Sequence, residues 1–174
     1  MLLPENGVWD KYAIADNTIP TAKTGGDLMV NAGKDIPSPT TTGLYKIMVD
    51  FLTGKYAVTE VPAGTIPDSL YIIGDATAGG WANPVPLPSQ KFTKINAYIF
   101  EITLPLIGGK EYLILPKNGD WGHKYSVDDN TIASLKQGGT FKYDALKNFP
   151  GPEQSGSYKI TVNFLTETYT VTKL

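Results

Sequence analysis

Apolar and polar residues alternate along much of this chain with the period of two that is typical of β-strands. From Ala97 to Leu104 every second residue is apolar or aromatic, and Glu111 to Leu115 forms another run of strand length. A shorter apolar run, Leu70 to Ile73, ends at a glycine. Alternation is clearest from Tyr158 to Phe164 and from Thr168 to Thr172. The short connection between these last two segments predicts a β-hairpin.

Glycine and proline separate these segments, and no stretch carries a sustained helical period. A short helix at Asp144 to Lys147 is the one helical element that we expect. Prolines at positions 84, 86 and 88 predict that the segment after Trp81 is a loop, because proline cannot donate to a sheet ladder. Many short strands joined by such turns indicate an all-β protein built as an antiparallel, Ig-like β-sandwich.

The chain contains an internal duplication. Residues 3–61 align with residues 115–174 after a one-residue insertion at His123, and roughly half of the aligned positions are identical. Residues 62–114 have no counterpart before the first copy. We therefore predict tandem sandwich modules, with residues 1–62 as the C-terminal half of a first module and residues 63–174 as a complete one. The Pro- and Gly-containing segment 62–67 is predicted to link them.

Composition excludes several classes of function. Apolar residues make up 41% of the chain, enough for packed cores, whereas charged residues make up 18% and the net charge is -2. A chain without a basic field has little attraction for nucleic acid. It has no cysteine and one histidine, so we expect neither a metal site nor another cofactor. No apolar run approaches the roughly 20 residues of a membrane span.

Two tryptophans follow glycine-containing turns in the second module. Trp81 comes directly after Gly79-Gly80, and Trp121 comes shortly after Asn118-Gly119. Indoles on neighbouring loops at one edge of a sandwich can form a curved aromatic surface. Such a surface fits the apolar faces of pyranose rings, because a tryptophan side chain offers about 150–250 Å² of contact area without demanding charge.

Polar side chains near these loops could bond sugar hydroxyls. Lys117 and Lys136 can donate, Asp129 can accept, and Asn118 can do both. A second interpretation fits the same residues: both tryptophans fold over the edge of the core and only anchor their loops. The pattern alone does not decide between a binding surface and a structural or adhesive sandwich with no sugar site.

Catalytic constellations are absent from the sequence pattern. His123 lies in the insertion beside Trp121 and is expected to be an exposed loop residue rather than a catalyst. Asp128 and Asp129 are adjacent carboxylates, but neighbours along a strand point to opposite faces and do not converge on one bond. The Asp-Asn-Thr string, which occurs in both copies, is better explained by an Asx-type turn.

Four strings together carry a family resemblance. They are LYIIGDATAGGW, LPKNGDW, its earlier copy LPENGVW, and the C-terminal YKITVNFLTETYTVTK. With the spacing between Trp81 and Trp121, they resemble the tandem modules of the SusE/SusF surface starch-binding lipoproteins. The resemblance covers both copies. It implies a starch-binding-module-like β-sandwich without catalytic activity, held on the outer face of a bacterial outer membrane by a lipid anchor that lies outside this chain.

The resemblance also implies what the site binds and which residues form it. The ligand is an α-glucan oligosaccharide or polysaccharide, and other surface glycan-uptake proteins are further partners. Trp81 and Trp121 correspond to the aromatic pair, and the basic role falls on Lys136 or Lys117. Leu113 occupies a position where a lysine is expected. In the first copy only Trp9 and Lys23 match, so we expect that half-site to bind weakly or not at all.

Overall fold

The computed structural model describes residue 2, residues 11–61 and residues 66–174. The chain divides into two compact units, unit 1 at residues 1–65 and unit 2 at residues 66–174. The described residues form antiparallel strands and two short 3₁₀ helices, Pro20–Lys23 and Ala133–Lys136, with no α-helix. The all-β prediction is confirmed.

Unit 1 contains five short strands in its described part. They are β1 (Tyr12–Ala13), β2 (Gly25–Asp27), β3 (Met29–Val30), β4 (Tyr45–Asp50) and β5 (Lys55–Glu60). β1 pairs with β3, and a three-stranded sheet has the order β2-β5-β4. A small core of Ile14, Ala22, Leu28, Tyr56 and Val58 lies among them.

Unit 2 contains ten strands. They are β6 (Tyr71–Ile73), β7 (Thr93–Lys94), β8 (Ile99–Leu106), β9 (Glu111–Leu115), β10 (Tyr125–Ser126), β11 (Gly138–Thr140), β12 (Lys142–Tyr143), β13 (Phe149–Pro150), β14 (Gly156–Asn163) and β15 (Thr168–Lys173). One sheet has the order β11-β15-β14-β8-β7. The other is built around β9, where Ile114 pairs with Ile72 of β6 on one side and Tyr125 of β10 on the other. β13 also pairs with β9, and β12 with β10.

The main core of unit 2 combines alternate residues from both sheets. Fully or nearly fully buried members include Ile72, Phe100, Ile102, Leu104, Tyr112, Ile114, Ile160, Val162 and Tyr169. β6 and β9 are buried on both faces: Ile72 and Ile114 belong to the main core, whereas Ile73, Leu113 and Leu115 form a second cluster with Val85. Another segment of the chain must therefore cover the outer face of the sheet that contains β6 and β9.

The duplicated text folds into the same local structure twice. β1 to β5 recur, 113 residues later, as β10, β11, β12, β14 and β15, and the 3₁₀ helix recurs with them. The Tyr56 hydroxyl donates to the Ala22 carbonyl, as the Tyr169 hydroxyl does to that of Leu135. Equivalents of β6 to β9 do not occur in the described part of unit 1.

Several sequence predictions are confirmed and one is wrong. The hairpin forms from β14 and β15 with Ile160 opposite Val171, and the strand at Glu111–Leu115 has the predicted bounds. The helix predicted at Asp144 to Lys147 does not form. Asp144 adopts a left-handed backbone conformation at φ 53°, and its carboxylate accepts the Lys124 N–H, so a turn replaces the helix.

Some organisational predictions are untested. The Ig-like, starch-binding-module-like classification and the division at residues 62 and 63 stay predictions. Residues 62–65 of the predicted linker lie outside the described residues, and so does Trp9.

Candidate functional site

The loops that carry the two tryptophans are joined by a pair of hydrogen bonds. The Val85 N–H donates to Asn118 Oδ1 at 2.7 Å, and the Gly119 N–H donates to Asn83 Oδ1 at 2.8 Å. The loop after β6 and the loop after β9 therefore lie side by side, as the sequence predicted for Trp81 and Trp121. We call this connection the asparagine clasp.

Glycines allow the first of these loops to turn sharply before Trp81. The Gly74 N–H donates to the Gly80 carbonyl, and Gly80 has φ 56°, which glycine adopts without steric cost. The Gly79 N–H donates to Gln90 Oε1 at 2.9 Å, and a Cβ at Gly79 would lie 2.4 Å from that oxygen. A larger residue at Gly79 cannot fit unless Gln90, Pro86 or the turn itself shifts.

Val85 fixes the same loop against the sheet. Its side chain packs with Ile73, Leu113 and Leu115 on the outer face of β6 and β9, and only 4% of it is exposed. Leu113, the position where the resemblance leads us to expect a lysine, is 5% exposed in this cluster. An ammonium group there would be buried among apolar side chains, so Leu113 is a packing residue in this chain.

The tryptophans themselves lie outside the cores. Trp81 is 37% exposed and Trp121 is 52% exposed, and neither belongs to an apolar cluster of buried residues. Val85, and not an indole, packs on Ile73, Leu113 and Leu115. Both rings thus present area to solvent from loops that are themselves held in place.

Two of the predicted polar residues lie on the clasped loop between β9 and β10. Asn118 holds Val85 through Oδ1, and its amide nitrogen has no partner within the described residues. Lys117 is exposed and forms an ion pair with Asp120 at 3.2 Å. Asp120 also accepts the Gly122 N–H, and this bond, followed by Lys117, lowers the pKa of the Asp120 carboxyl. Donors are therefore available beside Trp121.

Lys136 is the predicted site residue that the structure places elsewhere. It ends the second 3₁₀ helix and forms an ion pair with Glu153 at 3.2 Å. It lines a groove of about 790 Å³ with Gln137, Gln154 and Lys173, and no residue of the two tryptophan loops lines that groove. Asp129 accepts from the Thr131 N–H and hydroxyl, which confirms the Asx-type turn.

The loop between β9 and β10 involves three further residues that were not predicted as site residues: Asn83, His123 and Tyr143. Asn83 forms half of the clasp, and its amide nitrogen is buried without a hydrogen-bond partner within the described residues. Tyr143 is half exposed and stacks on His123 with ring centroids 5.0 Å apart. The pairing of β10 with β12 brings Tyr143 to this position. The exposed His123–Tyr143 stack lies two residues beyond Trp121 along the chain.

Asp144 orients His123. The His123 ring nitrogen Nδ1 lies 2.9 Å from Asp144 Oδ2, while Asp144 Oδ1 accepts the Lys124 N–H. These bonds lower the pKa of the Asp144 carboxyl, the His123 bond most of all. The imidazole is thereby held flat against Tyr143.

No group of three or more metal-ligating side chains occurs in the described part of the chain. Among the same residues, no helix has the length and apolar character needed to cross a bilayer. Comparison with known proteins gives no family model, no curated protein and no solved structure that matches this chain.

Proposed function

We propose that this protein binds starch or a related α-glucan without catalysing its breakdown, through Trp81 and Trp121. The observation that carries the proposal is the asparagine clasp, which holds the loops of two exposed indoles side by side. A rigid platform loses little conformational entropy when a ligand binds, and this favours affinity from a small contact area.

Sugar rings would stack on the indoles through their apolar C–H faces. Lys117 and the amide nitrogen of Asn118 would donate hydrogen bonds to hydroxyls at the edge of each ring. The His123–Tyr143 stack offers further flat area beyond Trp121. Two stacking rings usually support weak binding, and a millimolar dissociation constant corresponds to about -4 kcal/mol.

The carboxylates favour binding over hydrolysis. Asp128 pairs with Lys142, and Asp129 is held in its own turn by Thr131. The two groups are thus held by different partners, whereas glycoside hydrolysis uses two carboxyl groups on either side of one bond.

We further propose that the chain acts at the bacterial cell surface, on the outer membrane. The resemblance of LYIIGDATAGGW and LPKNGDW to SusE/SusF modules supports this location, with other glycan-uptake proteins as partners. Display on a surface would raise the effective concentration of sites and strengthen weak binding to a long polymer.

Affinity electrophoresis in gels containing starch tests the proposal. We expect the wild-type chain to be retarded by starch and a Trp81→Ala/Trp121→Ala variant to migrate as it does without starch. Ile132→Ala is a matched control, because Ile132 is 49% exposed and lies before the second 3₁₀ helix. Equal retardation of the wild type and the double variant would refute the proposal.

A further inference from the structure

β4 of unit 1 and β14 of unit 2 are equivalent strands with different surroundings. β14 pairs with β15 on one side and, over eight residues, with β8 on the other. β4 pairs with β5 alone, and no described residue pairs with its other edge. Among the described residues, that edge has no backbone partner, and free N–H and C=O groups at a sheet edge are those to which another strand can add.

The side chains of β4 and of the turn after it show the same difference. Ile47 is 61% exposed, whereas its equivalent Ile160 is fully buried. Phe51 is 64% exposed, whereas Phe164 is 7% exposed and contacts Phe100 of β8 edge to face at 5.5 Å. The copy in unit 2 therefore shows what covers these positions: a strand with apolar residues at alternate positions.

An ion pair between β14 and β8 indicates which charged residue a strand on β4 should carry. On β14, Lys159 forms an ion pair at 2.8 Å with Glu101 of β8. The equivalent lysine on β4, Lys46, forms no ion pair within the described residues and is exposed. A strand that docks on β4 in the register of β8 would place its residue equivalent to Glu101 opposite Met48 and diagonal to Lys46, so a carboxylate at that position would be complementary.

We propose that the open edge of β4 binds an extended polypeptide segment as an antiparallel strand. The segment has the chemistry of β8: apolar residues at alternate positions on the face that covers Ile47 and Phe51, and one acidic residue that pairs with Lys46. This is β-strand addition, in which backbone hydrogen bonds supply affinity and the side chains supply selectivity.

A synthetic peptide tests the proposal on the full chain. The peptide carries residues 96–108, labelled with a fluorophore at its N-terminus, and binding is followed by fluorescence anisotropy. We expect saturable binding, weakened about fivefold when the peptide carries Glu101→Lys, since opposite and like charges across strands differ by about 1 kcal/mol. The Lys46→Glu protein should show the reverse preference and bind the Glu101→Lys peptide better than the unchanged one.

Ile47→Ser provides a second variant. Ile47 is exposed in the chain, so this change should leave unfolding unaltered while weakening peptide binding. Absence of saturable binding would overturn the proposal. So would an affinity that neither Glu101→Lys in the peptide nor Lys46→Glu in the protein alters. So would a dimer in sedimentation experiments that forms through β4 of two copies and is not dissociated by the peptide.

Discussion

Asn83 and Asn118 each accept a backbone hydrogen bond from the loop that contains the other. Asn83 Oδ1 accepts the Gly119 N–H at 2.8 Å, and Asn118 Oδ1 accepts the Val85 N–H at 2.7 Å. Two loops far apart in sequence thus become one support for two exposed tryptophans.

Removing one half of the clasp should lower stability and glucan affinity together. Asn118→Ala leaves the N–H of buried Val85 without its acceptor, which costs about 1–3 kcal/mol. Urea unfolding measures the loss through the transition midpoint. Asn118→Asp is the matched control, because it keeps the acceptor oxygen and should lose less. Equal stability of the wild type and Asn118→Ala would show that the hydrogen bond does not hold the loop.

Introducing the lysine that the family resemblance leads us to expect at position 113 should destabilise this chain. Leu113→Lys places an ammonium group in the cluster with Ile73, Val85 and Leu115, and we expect destabilisation of about 2–4 kcal/mol. Leu113→Met, which conserves volume, should cost under about 1.5 kcal/mol. Thermal unfolding compares the two. A stable Leu113→Lys protein with stronger glucan binding would mean that Val85 and its loop move aside easily.

The two glycines before Trp81 should respond differently to substitution. Gly79→Ala brings a methyl group against Gln90 Oε1 and Pro86 Cδ, at 2.4 and 2.7 Å before relaxation. Gly80 has no neighbour within 4 Å of a Cβ, and its φ of 56° is one that asparagine tolerates. We expect Gly79→Ala to lower the melting temperature by several degrees, because overpacking costs about 1–3 kcal/mol. Gly80→Asn should change the melting temperature little. The opposite order would contradict the described turn.

The difference between what the sequence predicted and what it missed has a physical basis. The strand at Glu111–Leu115 was located by its short apolar run, which suits a strand buried on both faces, and the glycine turns located both tryptophans. Val85 was missed because one apolar residue in a proline-rich loop has no period. The ion pair of Lys136 with Glu153 was not predicted, because Glu153 lies 17 residues later on another turn. The contact between these two residues depends on how the intervening chain folds, which the local sequence pattern does not reveal.

The same limit explains the aromatic stack beside Trp121. Tyr143 contacts His123 only because β12 pairs with β10, with Tyr143 opposite Tyr125. The sequence predicted a helix just after this tyrosine, and nothing in its local pattern revealed the left-handed Asp144 that forms the turn instead.

Acid should weaken the His123–Asp144 contact. The hydrogen bonds from His123 and from the Lys124 N–H lower the pKa of Asp144 in the folded chain. A carboxyl whose pKa is lower in the folded chain than in the unfolded chain stabilises the fold at pH values above its unfolded pKa of about 3.9. This stabilisation is lost as the pH falls through the folded-state pKa. We expect stability to decline below about pH 4 and Asp144→Asn to reduce the decline. Urea midpoints at pH 7 and pH 3 measure it. An equal decline in the wild type and in Asp144→Asn would show that this contact does not contribute.

Titration calorimetry with a linear α-linked glucose oligosaccharide of seven units tests the central claim most directly. We predict saturable binding to the wild type with a dissociation constant of about 1 mM or tighter, a loss of at least tenfold in Trp81→Ala and in Trp121→Ala, and unchanged affinity in Ile132→Ala. Unaltered affinity in both tryptophan variants, or no saturable heat with the wild-type chain, would contradict a glucan site at the clasped loops.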